Sequence, residues 1–145
     1  MSESVELRQQ RDYLFANTFG SEIPVLDVDE PSPLGTGKGP SPIQLLAAAV
    51  GNCLAASLYF SLHKFKQAVE PISARVEPSV GRNDQGRLRV QQMKVELRLG
   101  VPAAKLEHVD RALGQFEEFC TVTQSVRAAF PVQVEVYDSA GARLK

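Results

Sequence analysis

Residues 39–63, GPSPIQLLAAAVGNCLAASLYFSLH, contain no Lys, Arg, Asp or Glu, and they constrain the fold more than any other stretch. Ser41, Pro42 and Gln44 open the run as a capping box. The Ser hydroxyl accepts an orphan backbone N–H, Pro occupies the first helical position, and the Gln side chain reaches back. Leu45, Leu46, Val50, Leu54, Leu58, Tyr59, Phe60 and Leu62 follow on more than one face, with alanines between them. The expected helix is therefore buried nearly all round. Its length also suits a membrane span. Gln44, Asn52, Ser57 and Ser61 interrupt the apolar run, however, and the rest of the chain supplies amphipathic strands that need an apolar partner. The preferred reading is the central helix of a soluble core, with no membrane partner.

In residues 5–19 the odd positions include Val5, Leu7, Tyr13, Phe15 and Phe19, while Glu6, Arg8, Gln10 and Asp12 occupy even ones. This period of two predicts a strand, with Arg11 on its apolar face unless the strand bulges. A second short strand fits residues 22–27. Residues 72–80 and 88–99 alternate and read as an antiparallel pair joined by a turn over 81–87, with a one-residue slip that predicts a bulge near Gln91 and Gln92. Pro102 opens an expected second helix, in which Leu106, Val109, Leu113 and Phe116 recur at helical spacing to about Phe119. A further helical turn or two fits residues 120–127, before Pro131. Val132, Val134 and Val136 mark the last strand. Neither an internal repeat nor a low-complexity segment is present.

The loop at 29–40 carries Gly35, Gly37 and Gly39, but Pro40 stands where a phosphate-binding G-x-G-x-x-G would need its third glycine. Lys38 is followed by Gly39 and not by Ser or Thr. The glycines serve a tight backbone turn against the helix start instead.

At 145 residues the chain is expected to form a single domain, 1–145. Lys and Arg total 16 against 17 for Asp and Glu, so no basic excess points to nucleic acid as a partner. Residues 1–11 are polar and lack the apolar stretch of a secretory signal, which leads to an expected cytoplasmic location. In that compartment Cys53 and Cys120 are not expected to form a permanent structural disulfide. They are either inert buried thiols or a working redox pair. Gly51 and Asn52 beside Cys53, and Thr121, Thr123, Gln124 and Ser125 after Cys120, are poor company for a purely apolar core. A nucleophilic Cys53 lies eleven residues past Pro42, about three turns into the helix. The helix dipole fades within the first turn, so a cation from another segment must hold the thiolate. Arg11, Arg82, Arg87, Arg127 and His108 are the candidates.

Gly39-Pro40-Ser41-Pro42, then Gln44-Leu45-Leu46, then Gly51-Asn52-Cys53, with a second cysteine about seventy residues on and a terminal Val-x-Val strand, resemble the OsmC/Ohr family of thiol peroxidases. The resemblance runs from about Asp27 to the end. It implies an α+β fold with antiparallel strands wrapped around two central helices, in an intertwined homodimer with active sites at the subunit interface. It also implies Cys53 as the peroxidatic thiol, Cys120 as the resolving thiol, an organic hydroperoxide as substrate, a dithiol as reductant, and no cofactor. Arg11 corresponds to the family's catalytic arginine only by its distance from Cys53. Ile43 stands where the hydroperoxide-reducing branches carry a glutamate, and Thr121, Val122 and Thr123 stand where proline and a downstream serine are usual. The chain thus resembles a branch diverged from the well-defined reductases.

Two other readings of the residues remain. The apolar helix with its lost glutamate would suit a non-catalytic protein that binds a small hydrophobic or lipid-like ligand. A metal site from Cys53, Cys120, His63 and His108 lacks the close ligand spacing of ordinary zinc sites, and the histidines read as surface residues at helix ends or outer faces.

Overall fold

The computed structural model describes residues 3–145. They form two three-stranded sheets and three α-helices, a mixed α+β fold. Two compact units are present, one ending at Leu46 and the other Ala47–Lys145.

The first unit is built on β1 (Glu6–Arg11), β2 (Leu14–Thr18) and β3 (Leu26–Val28), antiparallel in that order. The single strand expected over 5–19 is thus a hairpin. Asp12 turns the chain at φ 45°, a left-handed conformation that Asp tolerates better than most residues, and Gln9 Nε2 donates to the Asp12 carbonyl at 2.8 Å. A bulge lies between Gln9 and Arg11, and every residue of β1 is exposed, so Arg11 does not face inward. The strand expected over 22–27 shrinks to three residues, because Pro24 lacks the N–H a ladder needs. Beyond it the Asp29 carboxylate organises the loop. It accepts from the Glu30, Thr36 and Lys38 N–H groups and from the Thr36 hydroxyl at 2.6 Å. The Thr36 hydroxyl is the main reason its pKa is lowered. At Gly39 an added Cβ would meet the Asp27 carbonyl at 1.9 Å, so only glycine lets the loop lie this close to the backbone at β3.

Helix α1 (Pro42–Lys64) starts where the capping box sets it. The Ser41 N–H donates to Gln44 Oε1 at 2.9 Å, and the Gln44 N–H donates to Ser41 Oγ at 3.2 Å. It passes from the first unit into the second. Among the described residues it is one helix long and apolar enough to cross a membrane. It is not buried all round: Ala47, Val50, Gly51, Leu54, Ser57, Leu58, Ser61 and Leu62 form one buried stripe, while Ala48, Ala49, Asn52, Tyr59 and Phe60 are exposed. The spacing of that stripe is the ordinary three-and-four pattern of a helix lying on a core.

In the second unit β4 (Ser73–Arg82) and β5 (Leu88–Arg98) pair antiparallel through a turn in which Gly86 takes φ 74°. The register shifts as expected: Ser79 pairs with Gln92 and Val80 with Val90, leaving Gln91 as the bulged residue. After the bulge Met93, Val95, Leu97 and Leu99 all point into the core. Strand β6 (Val132–Tyr137) lies parallel to β5, so this sheet is mixed where only antiparallel pairing was expected. A parallel neighbour needs a crossover connection, and the helical segments from 103 to 126 supply it.

That crossover is more broken than the periodicity predicts. A 3-10 turn (Ala103–Lys105) precedes α2 (Val109–Gln115), which begins at Val109 and not at Pro102. His108 at φ 58° reverses the backbone before α2 can start. A second 3-10 turn (Phe116–Phe119) leads to α3 (Thr121–Val126), which matches the short helix expected there. His63 and His108 are both exposed at helix ends.

Gly51 sets how closely α1 and β4 approach. A Cβ there would meet Val76 Cγ2 at 2.7 Å. Gly51→Ala gains about 1 kcal/mol of helix propensity but must displace Val76 at a cost of about 1–3 kcal/mol. Equilibrium denaturation is expected to show a net loss, and a gain in stability would contradict this packing.

Candidate functional site

Both cysteines belong to the second unit, on elements far apart in sequence. Cys53 sits on α1 between buried Val50 and Ser57, at the edge of the buried stripe, and is half-buried. Cys120 lies between the second 3-10 turn and α3, at φ −82° and ψ 94°, and is fully buried. Both are free thiols. They are neighbours: Cys53 lies close enough to Cys120 to raise its pKa. Burial first, and then the nearness of Cys53, raise the Cys120 pKa, because the charged form would lose water and face a second sulfur. Thr123 opposes this, its side chain and backbone N–H both favouring the thiolate, but does not overcome it. Cys120 Sγ–H donates to Thr123 Oγ1 at 3.0 Å.

A charged clamp fixes the segment that carries Cys120. Glu117, three residues earlier, accepts from Arg127 Nη2 on one oxygen and from Lys145 Nζ on the other. Arg127 also donates to the Val132 carbonyl at 2.8 Å, and Lys145 to the Leu113 carbonyl at 2.9 Å. Gln124 Nε2 bonds the Glu117 carbonyl at 3.0 Å. The carboxylate is largely buried, which by itself raises its pKa, but the two cations more than offset this and the net shift is downward.

Of the cations expected to serve Cys53, Arg127 is engaged in this clamp, and Arg82 Nη1 donates to the Gly86 carbonyl at 2.6 Å. His108 packs against the Phe65 ring at 5.8 Å. Arg11 belongs to the first unit, where it lines an open cavity of about 320 Å³ with Tyr13, Asp29 and Thr36. Ile43, at the position of the expected glutamate, is an exposed residue in the first turn of α1.

One thiol is half-exposed and the other buried. Residues 35–135 match the sequence model of a family described as OsmC-like protein, most of the chain and both cysteines. The chain belongs to the OsmC-like family. Solved structures agree on the fold. An OsmC-like protein of unknown function from Vibrio cholerae superposes with a TM-score of 0.78 at 15% identity, covering 94% of this chain and 99% of that one. A hypothetical protein from Aquifex aeolicus superposes at 0.76 and 19% identity, covering 96% and 97%. An organic hydroperoxide resistance protein of Bacillus subtilis superposes at 0.71 and 17% identity, covering 94% and 98%. No curated protein matches the sequence.

In this OsmC-like protein the sequence marks Thr123 as one of several polar neighbours of Cys120 but does not single it out, and it does not reveal the Glu117 clamp. The three-residue spacing of Cys120 and Thr123 was a usable signal, since such pairs meet on one helix face. Glu117, Arg127 and Lys145 are brought together across a broken helix and the last strand, which no spacing rule reveals.

Because the Glu117 pKa is lowered on folding, the clamp stabilises the protein above the ordinary glutamate value of about 4.3 and is lost as pH falls below it. Glu117→Gln is expected to cost about 1–2 kcal/mol at pH 7 and progressively less as the pH falls toward 3. Urea titrations of both proteins across that range check it; a pH-independent difference would contradict the ionic clamp.

Proposed function

We propose that this OsmC-like protein reduces organic hydroperoxides with a Cys53–Cys120 dithiol. The observation that carries the proposal is the unequal burial of two adjacent free thiols. A hydroperoxide can reach the half-exposed Cys53 but not Cys120. Burial holds Cys120 as the thiol, which keeps it out of the first step and available for the second.

In the first step the Cys53 thiolate attacks the outer peroxide oxygen. The O–O bond breaks, an S–O bond forms, and the alkoxide leaves and takes a proton to become the alcohol. In the second, Cys120 attacks the Cys53 sulfenic acid, an S–S bond replaces the S–O bond, and water leaves. A dithiol reductant then exchanges with the disulfide and restores both thiols, a cycle suited to the reducing cytoplasm. The shared fold with proteins named for organic hydroperoxide resistance supports this reading.

The same proposal includes a homodimer. In the first unit β1 is exposed along its whole length, with Leu7 62% accessible. In the second, the outer face of α1 exposes Tyr59 and Phe60, the latter 60% accessible. Apolar surface of this kind suits a second copy of the chain.

Two measurements test the reading. One equivalent of cumene hydroperoxide is expected to remove both free thiols from the reduced protein, while Cys53→Ser keeps its remaining thiol and consumes no peroxide; survival of both wild-type thiols would overturn the cycle. Light scattering of the purified protein is expected to give twice the chain mass of 15.8 kDa. A monomer at micromolar concentration would rule out the dimer.

A further inference from the structure

Thr123 is fully buried and lies one helical turn past Cys120. Its hydroxyl sits 3.0 Å from Cys120 Sγ, the one side-chain hydrogen bond it makes among the described residues. The neighbouring hydroxyls have other engagements or none: Ser125 Oγ donates to the Thr121 carbonyl at 2.8 Å, and Thr121 is exposed. We propose that Thr123 is a positioning residue for the resolving thiol, holding Cys120 toward Cys53 and bonding its sulfur as the disulfide forms. The role rests on the dithiol cycle proposed above.

A hydroxyl is the group this position needs, because it both accepts and donates. While Cys120 is protonated, Thr123 Oγ1 accepts its S–H; once the proton is given up, the same hydroxyl turns and donates to the thiolate. Valine has the same shape but can do neither. The hydroxyl is thus a pin carried on α3, one turn past Cys120. That pin matters in the second step. Cys120 must attack the Cys53 sulfenic acid from its far side, forming the S–S bond as hydroxide leaves and carries off the Cys120 proton as water. Buried sulfur has no water to stabilise its charge once the proton leaves, and the Thr123 hydroxyl stands 3.0 Å away to do so. The Glu117 clamp holds the same segment from outside and leaves the thiol's own orientation to Thr123.

The test compares Thr123→Val and Thr123→Ser with wild type in the full chain, following sulfenic acid and disulfide by mass spectrometry. One arm uses one equivalent of cumene hydroperoxide and the other diamide, which closes a dithiol without any peroxide chemistry. Formation of the Cys53 sulfenic acid is expected at the wild-type rate in every variant. Disulfide closure in T123V is expected to slow about tenfold or more with either oxidant, the effect of losing one hydrogen bond to a charged group, and T123S is expected to restore it. In a Cys53→Ser background, where Cys120 is the sole thiol, the T123V change is also expected to move the infrared S–H stretch to higher frequency. If T123V does not fold, Thr123→Ala carries the same comparison. Closure at the wild-type rate, or a T123S variant as slow as T123V, would overturn the proposal. If cumene hydroperoxide spares the wild-type thiols while diamide still closes T123V slowly, the peroxidase reading falls and the role of Thr123 stands.

Discussion

One stripe of α1 must be kept from water, and the second unit is arranged around that need. Val50, Leu54, Leu58 and Leu62 are all fully buried, each worth about 1.5–3 kcal/mol relative to exposure. They lie one helical turn apart, so a single face goes inward and the residues flanking it are left at the edge. Cys53 is one of these: its thiol is half-sheltered because the stripe passes beside it. Gly51 belongs to the stripe itself and has no side chain because Val76 occupies the space. The position of the thiol relative to β4 is thus set by a contact in which the thiol takes no part.

The second thiol is placed by a different kind of force. Cys120 belongs to a crossover made of short, interrupted helical pieces, none long enough to be rigid alone. Charge supplies what length does not. Glu117 draws Arg127 from the end of α3 and Lys145 from the chain's end, and the carbonyls of Leu113 and Val132 take up donors the carboxylate leaves over. A partly buried carboxylate flanked by two cations resists loss of either partner, since the one left behind would be buried and unpaired. The clamp and the Thr123 hydroxyl divide the work, the first fixing the segment and the second the sulfur.

The two thiols consequently differ in burial and in chemistry although they are neighbours. Exposure makes one reachable and burial keeps the other protonated. A buried thiol with a raised pKa is a poor first nucleophile, yet in the cycle proposed for this protein it waits beside Cys53 and needs no diffusion to act. Thr121, Val122 and Thr123, which depart from the run usual in the well-defined reductases, directly follow the buried sulfur, and Thr123 bonds it.

The sequence by itself determined the elements whose signals are local. The capping box at Ser41 and Gln44 fixes the start of α1 because its hydrogen bonds lie within four residues. The slip at Gln91 is legible because a bulge changes which residues of one strand face inward, and the short helix after Cys120 follows from its own pattern. Alternation alone did not reveal the hairpin at Asp12, since a two-residue turn leaves the period intact, nor did helical spacing reveal the break at His108, since Leu106 and Val109 keep the spacing on either side of it. What only the tertiary structure decided is the meeting of Cys53 with Cys120 and of Glu117 with Arg127 and Lys145. Those encounters depend on how elements distant in sequence pack, and a local period carries no information about that.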